Sequence, residues 1–165
     1  MEAIDCIKER RSVRTYIDKD IGEDILKDIV DCARQAASAR NTQGWEFIVI
    51  KDKDTLRKIA DIAPNGKFIE SANAAIITIA QDSDYYLEDG SAATQNILLA
   101  ARAYDIGSCW IAGAKKEYAD DVLDLIEAPE NYKLISIVSL GYTDEFPEKS
   151  KRPLEAIYHE EVYKN

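Results

Sequence analysis

The sequence is poor in the residues that serve most acid, base and metal chemistry. It has one histidine, His159. A multi-histidine metal site is therefore impossible, and a Ser-His-Asp or Cys-His nucleophile would have to recruit a side chain from a polar tail. The three cysteines, Cys6, Cys32 and Cys109, are odd in number and far apart, which argues against a disulfide framework and against a zinc site. No apolar run approaches the ~20 residues that span a bilayer. The N-terminus, MEAIDCIKERR, places acidic residues ahead of basic ones and has no long apolar stretch; this predicts no secretory signal and a cytoplasmic protein. Nucleotide fingerprints are missing too. No strand is followed by GxGxxG and there is no GxxxxGK[ST], so Rossmann and P-loop folds are excluded.

What is present is an ordinary globular composition. The 165 residues are 46% hydrophobic and 32% charged, which predicts one domain over 1–165. A chain of this size buries roughly 70% of its unfolded surface. The net charge of −10 repels nucleic acid and anionic membrane. Against that background two cationic groups stand out: Arg10, Arg11 and Arg14 near the start, and Lys149, Lys151 and Arg152 near the end. They either hold a small anion or form solvated faces.

Periodicity predicts an alternation of helices and apolar strands. Ala3, Ile4 and Ile7 define a helical face over 2–9. Asp20 to Glu23 has the spacing of a capping box, opening a helix that carries Ile25, Leu26, Ile29, Val30, Ala33 and Ala37 and ends near 38–41. The run 46–51 reads as a strand buried on both faces, and 54–62 as a helix broken by Pro64-Asn65-Gly66. Residues 74–80 are a second buried strand and 88–104 a long alanine-rich helix, with Gly107 as its stop. A third strand covers 108–112, a helix 116–127 and a fourth strand 134–140. Residues 146–165 form an extended polar tail with a turn at 154–158. Helices over a central sheet place the chain in the α/β or α+β class.

Three stretches together resemble one family. Arg10-Arg11-Ser12-Val13-Arg14 follows the first helix. Ala37-Ser38-Ala39-Arg40-Asn41-Thr42-Gln43-Gly44-Trp45 precedes the first strand. Gly107-Ser108-Cys109-Trp110-Ile111-Ala112-Gly113 follows the long helix, with Leu140-Gly141-Tyr142 and Lys151-Arg152-Pro153 behind it. In order and spacing these are similar to the flavin mononucleotide (FMN) dependent nitroreductase family, over nearly the whole chain. The resemblance implies an α+β fold with a central, mainly antiparallel sheet covered by helices. It implies an intertwined homodimer with FMN at the interface and the C-terminal tail wrapped on the partner. It also implies ping-pong hydride transfer from NADH or NADPH through flavin N5 to a small acceptor such as a nitroaromatic or quinone.

Site residues follow from that resemblance. Arg10, Lys149 and Lys151 match phosphate contacts, and with no P-loop an FMN dianion does need cationic side chains. Arg11, Ser12 and Arg14 fall in the same cofactor-binding run; Ser12 and Arg14 match contacts to the pyrimidine edge or ribityl chain, where a cation favours reduced flavin. Lys67 supplies a second such cation or lies on the surface. Ala37, Ser38 and Ala39 match the stretch reaching FMN from the other subunit, and Asn41 either touches the flavin or caps the turn. Ala112 and Gly113 match the turn whose backbone N–H faces N5. Trp45 reads as core, and Gln95 and Asn96 as structural. No residue is an evident general acid or base and no metal site is expected. Two departures are visible: Gly44 replaces the usual proline, and Lys151 a common arginine, which keeps the charge but loses bidentate geometry. The chain also lacks an insertion with which longer members build one pocket wall, which implies an open substrate pocket. A flavin-binding store or sensor with little turnover is the alternative reading.

Overall fold

The computed structural model describes residues 2–163. Four strands, β1 (Trp45–Ile50), β2 (Ala74–Gln81), β3 (Gly107–Ala112) and β4 (Tyr132–Gly141), form one antiparallel sheet in the order β1-β2-β4-β3. The helices are α1 (Ala3–Glu9), α2 (Glu23–Arg34), α3 (Lys53–Ile62), α4 (Tyr86–Ala103) and α5 (Ala119–Leu125), with 3-10 turns at 39–41, 64–71 and 154–156. The α+β class and the antiparallel sheet agree with the reading of the sequence.

The central strands carry side chains to both faces because β-strand residues alternate. Ala74 and Ile76 of β2 pack with Val138 and Leu140 of β4 against Leu26, Ile29 and Ala33 of α2 and Ile97 and Ala101 of α4. Ala75, Ile77 and Ile79 face the other way, against Leu56, Ile59 and Ala60 of α3 and Val122 of α5. The result is helix, sheet, helix in three layers. Thr78 pairs with Ser136 and Ile79 with Leu134, so Ile135 is an extra residue in β4. This bulge shifts the strand's phase and lets Leu134 and Ile137, an odd number apart, share one face.

The sequence expectations need correction at five places. Helix α2 ends at Arg34 rather than near 38–41, because Ala33 is its last buried residue and the chain then leaves for a loop held elsewhere. Asp20 caps nothing: the N-cap of α2 is Gly22 with no side-chain bond, and Asp20 pairs instead with Lys51 at 2.8 Å. Strand β1 is not buried on both faces, because it is an edge strand, and Val49 remains 40% exposed. Helix α5 covers 119–125 only. Gly107 is not the stop of α4; the left-handed residue there is Asp105, with φ of 54°. Gly107 opens β3, where a Cβ would lie 2.7 Å from Val13 Cγ1, so its role is close approach.

Candidate functional site

The first arginine-rich run lies along the outer edge of β3. Ser12 bridges Ser108 in parallel, and the Val13 N–H donates to the Ser108 carbonyl at 2.9 Å. Tyr16, two residues past Arg14, donates its hydroxyl to the Val13 carbonyl at 2.8 Å and meets Ser139 Oγ at 2.7 Å. Burial pushes the Tyr16 phenol well above its ordinary value, so it stays a neutral latch. Residues 10–14 are thus fixed to the sheet with Arg10 half-buried and Arg14 exposed.

The C-terminal cations reach the same edge. Arg11 donates its Nε–H to the Lys149 carbonyl at 3.0 Å and its Nη1 hydrogens to the Lys8 and Arg10 carbonyls at 2.7 and 2.9 Å. Arg102, from the last turn of α4, pairs with Glu9 at 2.9 Å and sits 4.3 Å from the Phe146 ring centroid. Two arginines therefore pin the start of the tail beside the end of α1. The structure brings the Lys149 backbone onto Arg11, beside Arg10, which no local sequence signal dictates.

At the far end of β3 a cleft of about 250 Å³ is lined by Arg14, Asn65, Phe68, Ala112, Lys116 and Tyr118, among others. The Arg14 guanidinium lies 5.7 Å from the centroid of Phe68. Gly113 donates its N–H to the Ile135 carbonyl at 3.0 Å. Peptide groups along a strand alternate in direction, so the Ala112 peptide faces away from β4, towards the open edge. Its carbonyl there accepts the Tyr118 hydroxyl. A Cβ on Gly113 would lie 2.4 Å from Leu134 Cγ and 3.2 Å from the Ile135 carbonyl carbon, so glycine is required by packing. Burial raises the Cys109 thiol, against the opposing charge of Arg14, and raises the Tyr118 phenol. Both are neutral at pH 7, so neither supplies a base.

Lys67 is not among the residues lining that cleft. Its Nζ pairs with Asp61 at 2.7 Å on the exposed surface. Its neighbours Asn65 and Phe68 face the cleft instead.

The run 37–43 lies elsewhere. It precedes β1 at the opposite edge of the sheet, three inter-strand steps from β3, which is ~14 Å at ~4.8 Å per step. Ser38 Oγ accepts from the Gln43 N–H at 3.1 Å, and Asp89 of α4 accepts from the Ala39 N–H at 2.9 Å. Trp45 is buried as core, and Asn96 donates to the Cys32 carbonyl at 3.0 Å. One chain therefore holds the two groups of residues at opposite edges of the sheet, the cations and an outward peptide at β3 and the small-residue loop beside β1.

Sequence reasoning missed Lys116, Phe68 and Tyr118 in the cleft and the tethering roles of Arg102 and Asp89. These are set by tertiary approach, and no motif marks them. Among the described residues no cluster of His, Cys, Asp or Glu could hold a metal, and no helix is long and apolar enough to cross a membrane.

A cluster of side-chain cations at the edge of a three-layer α+β fold defines a restricted class. A sequence model of the Nitroreductase family matches residues 7–83 and 63–142. A protein of Archaeoglobus fulgidus, provisionally named an NADH dehydrogenase/NAD(P)H nitroreductase, is 39% identical over 148 residues, covering 86% of this chain and 85% of its own. The crystal structure of a Bacteroides thetaiotaomicron protein with the same provisional name aligns with a TM-score of 0.93 and 32% identity, over 98% of both chains. An FMN-dependent nitroreductase of Clostridium difficile R20291 aligns with a TM-score of 0.88 and 31% identity, over 97% of this chain and 99% of its own. The chain belongs to the nitroreductase family.

Proposed function

We propose that this protein is an FMN-dependent NAD(P)H oxidoreductase, working as a homodimer with a small-molecule electron acceptor of the nitroaromatic or quinone type. The observation that carries it is the Arg11–Lys149 bond, which gathers cations from both ends of a chain of net charge −10 onto one edge. An acidic protein that concentrates positive charge this way favours an anionic ligand.

The residues present fit FMN. Arg10, Lys149 and Lys151 neutralise the phosphate; charge-assisted bonds of this kind contribute about 1.5–3 kcal/mol each. Arg11 serves as the tether that positions them, and Ser12 holds the run on β3. Arg14, fixed over Phe68, places a cation where reduction adds negative charge. The outward N–H of Ala112 is the donor for N5, and Gly113 sets its direction. Ala37, Ser38, Ala39 and Asn41 complete the site from the second subunit, because within one chain they lie across the sheet. Lys67, paired with Asp61, stays outside. FMN held there supplies reversible hydride chemistry between the nicotinamide and the acceptor. The chain's own part is to bind, orient and stabilise charge.

An absorption spectrum tests this. Purified protein is titrated with FMN and then with NADH or NADPH under nitrogen. Flavin bands near one per subunit that bleach on adding nicotinamide are expected. Bound flavin that does not bleach would favour a store or sensor, and failure to bind FMN at all would sink the proposal.

A further inference from the structure

Three residues of one short loop, Arg40, Asn41 and Gln43, have φ values of 54°, 57° and 51°. This left-handed region is unfavourable for residues with a Cβ, least so for asparagine, so Arg40 and Gln43 carry most of the strain. Such a stretch persists only where its surroundings over-determine it, and such stretches gather at functional sites. The bonds from the Asn41 N–H to the Ser38 carbonyl and from the Gln43 N–H to Ser38 Oγ, at 3.0 and 3.1 Å, are internal to the loop. They set its shape but not its place.

Its place is set by Asp89. This carboxylate is only 9% exposed, in the first turn of α4. Its Oδ1 accepts from the Ala39 N–H at 2.9 Å and its Oδ2 lies 3.5 Å from the Thr42 hydroxyl. One side chain therefore holds the loop on either side of Arg40 and Asn41, from 50 residues away in sequence. The platform is rigid: Thr94, five residues along α4, bonds Ser136 of β4 at 2.8 Å and the Gly90 carbonyl at 2.7 Å, both buried. The helix N-terminus also favours a negative charge at Asp89.

We infer that Asp89 is a positioning residue for the cofactor. It holds 37–43 in the single shape that presents Ala37, Ser38 and Asn41 to FMN. Because Asp89 takes the Ala39 N–H, that amide is committed to shaping the loop. The inference rests on the flavin reading above.

The test combines FMN affinity of the full-length protein, the visible circular dichroism of bound flavin, and hydrogen exchange at 37–43. In the wild type, FMN should slow exchange across 37–43. Asp89→Ala should speed exchange there, weaken FMN about tenfold and alter the flavin band; Asp89→Asn, which keeps one acceptor, should weaken it about threefold. A purely structural role would lower the melting temperature but leave affinity and the flavin band of folded protein unchanged. Folded Asp89→Ala with wild-type affinity, in a protein whose loop FMN does protect, overturns the role of Asp89 and leaves the flavin reading standing. FMN binding without protection of 37–43 in the wild type overturns the loop's flavin contact, and the Asp89 role with it. If Asp89→Ala does not fold, Asp89→Asn decides, and wild-type affinity in it overturns the proposal.

Discussion

Arg11 and Lys149 are 138 residues apart in sequence and 3.0 Å apart in space, side-chain Nε to backbone carbonyl. The bond uses the backbone of Lys149, so its amine is left for other work. Two substitutions separate tether from contact. Arg10→Ala should weaken FMN by about 1.5–3 kcal/mol, roughly ten- to a hundredfold. Arg11→Ala should weaken it too, but with faster proteolysis at 146–163, which Arg10→Ala should not cause. Equal protection of the tail in both variants would mean that Arg11 is no tether.

Gly113→Ala should destabilise the protein by about 1–3 kcal/mol through overpacking, because the new Cβ meets the buried Leu134 side chain and the Ile135 backbone. Urea denaturation checks this. An unchanged midpoint would show that β3 and β4 can separate at that end.

Lys67→Ala should leave FMN affinity within about twofold of wild type, since the structure pairs Lys67 with Asp61 rather than with the cleft. A loss of tenfold by titration would return Lys67 to the cofactor site.

The tail exposes Leu154 and Ile157, at 64% and 51%, and α1 exposes Ile4 at 60%. If the tail packs on a second subunit as proposed, these side chains are the ones it would bury. Ile157→Asp should raise the dimer dissociation constant about tenfold or more, measured by sedimentation velocity. A wild-type value would remove the tail from the interface.

Stability should fall on the alkaline side. Burial raises the Cys6, Cys32 and Cys109 thiols above their ordinary 9.0 and the Tyr16 phenol above 10.0. Above pH 9 the unfolded chain releases protons that the folded chain retains, so unfolding is favoured as pH rises. Cys109→Ala should flatten the slope of melting temperature against pH between 9 and 10. An identical slope would show that this thiol ionises alike in both states.

Much of the fold could be read directly. Strands β2 and β4 are buried on both faces and looked so, as near-continuous apolar runs; the helical periodicity of α3 and α4 placed them within two residues. Edge status could not be read. The run at 46–51 keeps four apolar residues in a row, Phe47 to Ile50, as a buried strand would, and only the strand order leaves Val49 in solvent. The end of α2 was hidden because Ala36 and Ala37 continue its pattern, while Asp89 draws the following loop to a distant helix. Asp20 had the right spacing for a cap, but Lys51, just past the end of β1, captured it. At the site, the arginine run and the loop were visible as motifs. That a single chain keeps them on opposite edges was not, since it depends on β3 and β1 being the outermost strands.

The stitching of Ser12 to Ser108 and of Arg11 to Lys149 has a consequence for how the protein is made. Synthesis runs from the N-terminus, so the arginine run leaves the ribosome before both of its partners and waits. The sheet neighbour of Ser12 follows about a hundred residues later, and the tether of Arg11 138 residues later. Until both partners have emerged this edge is unfinished, so a ligand that needs it would bind only after the edge has folded.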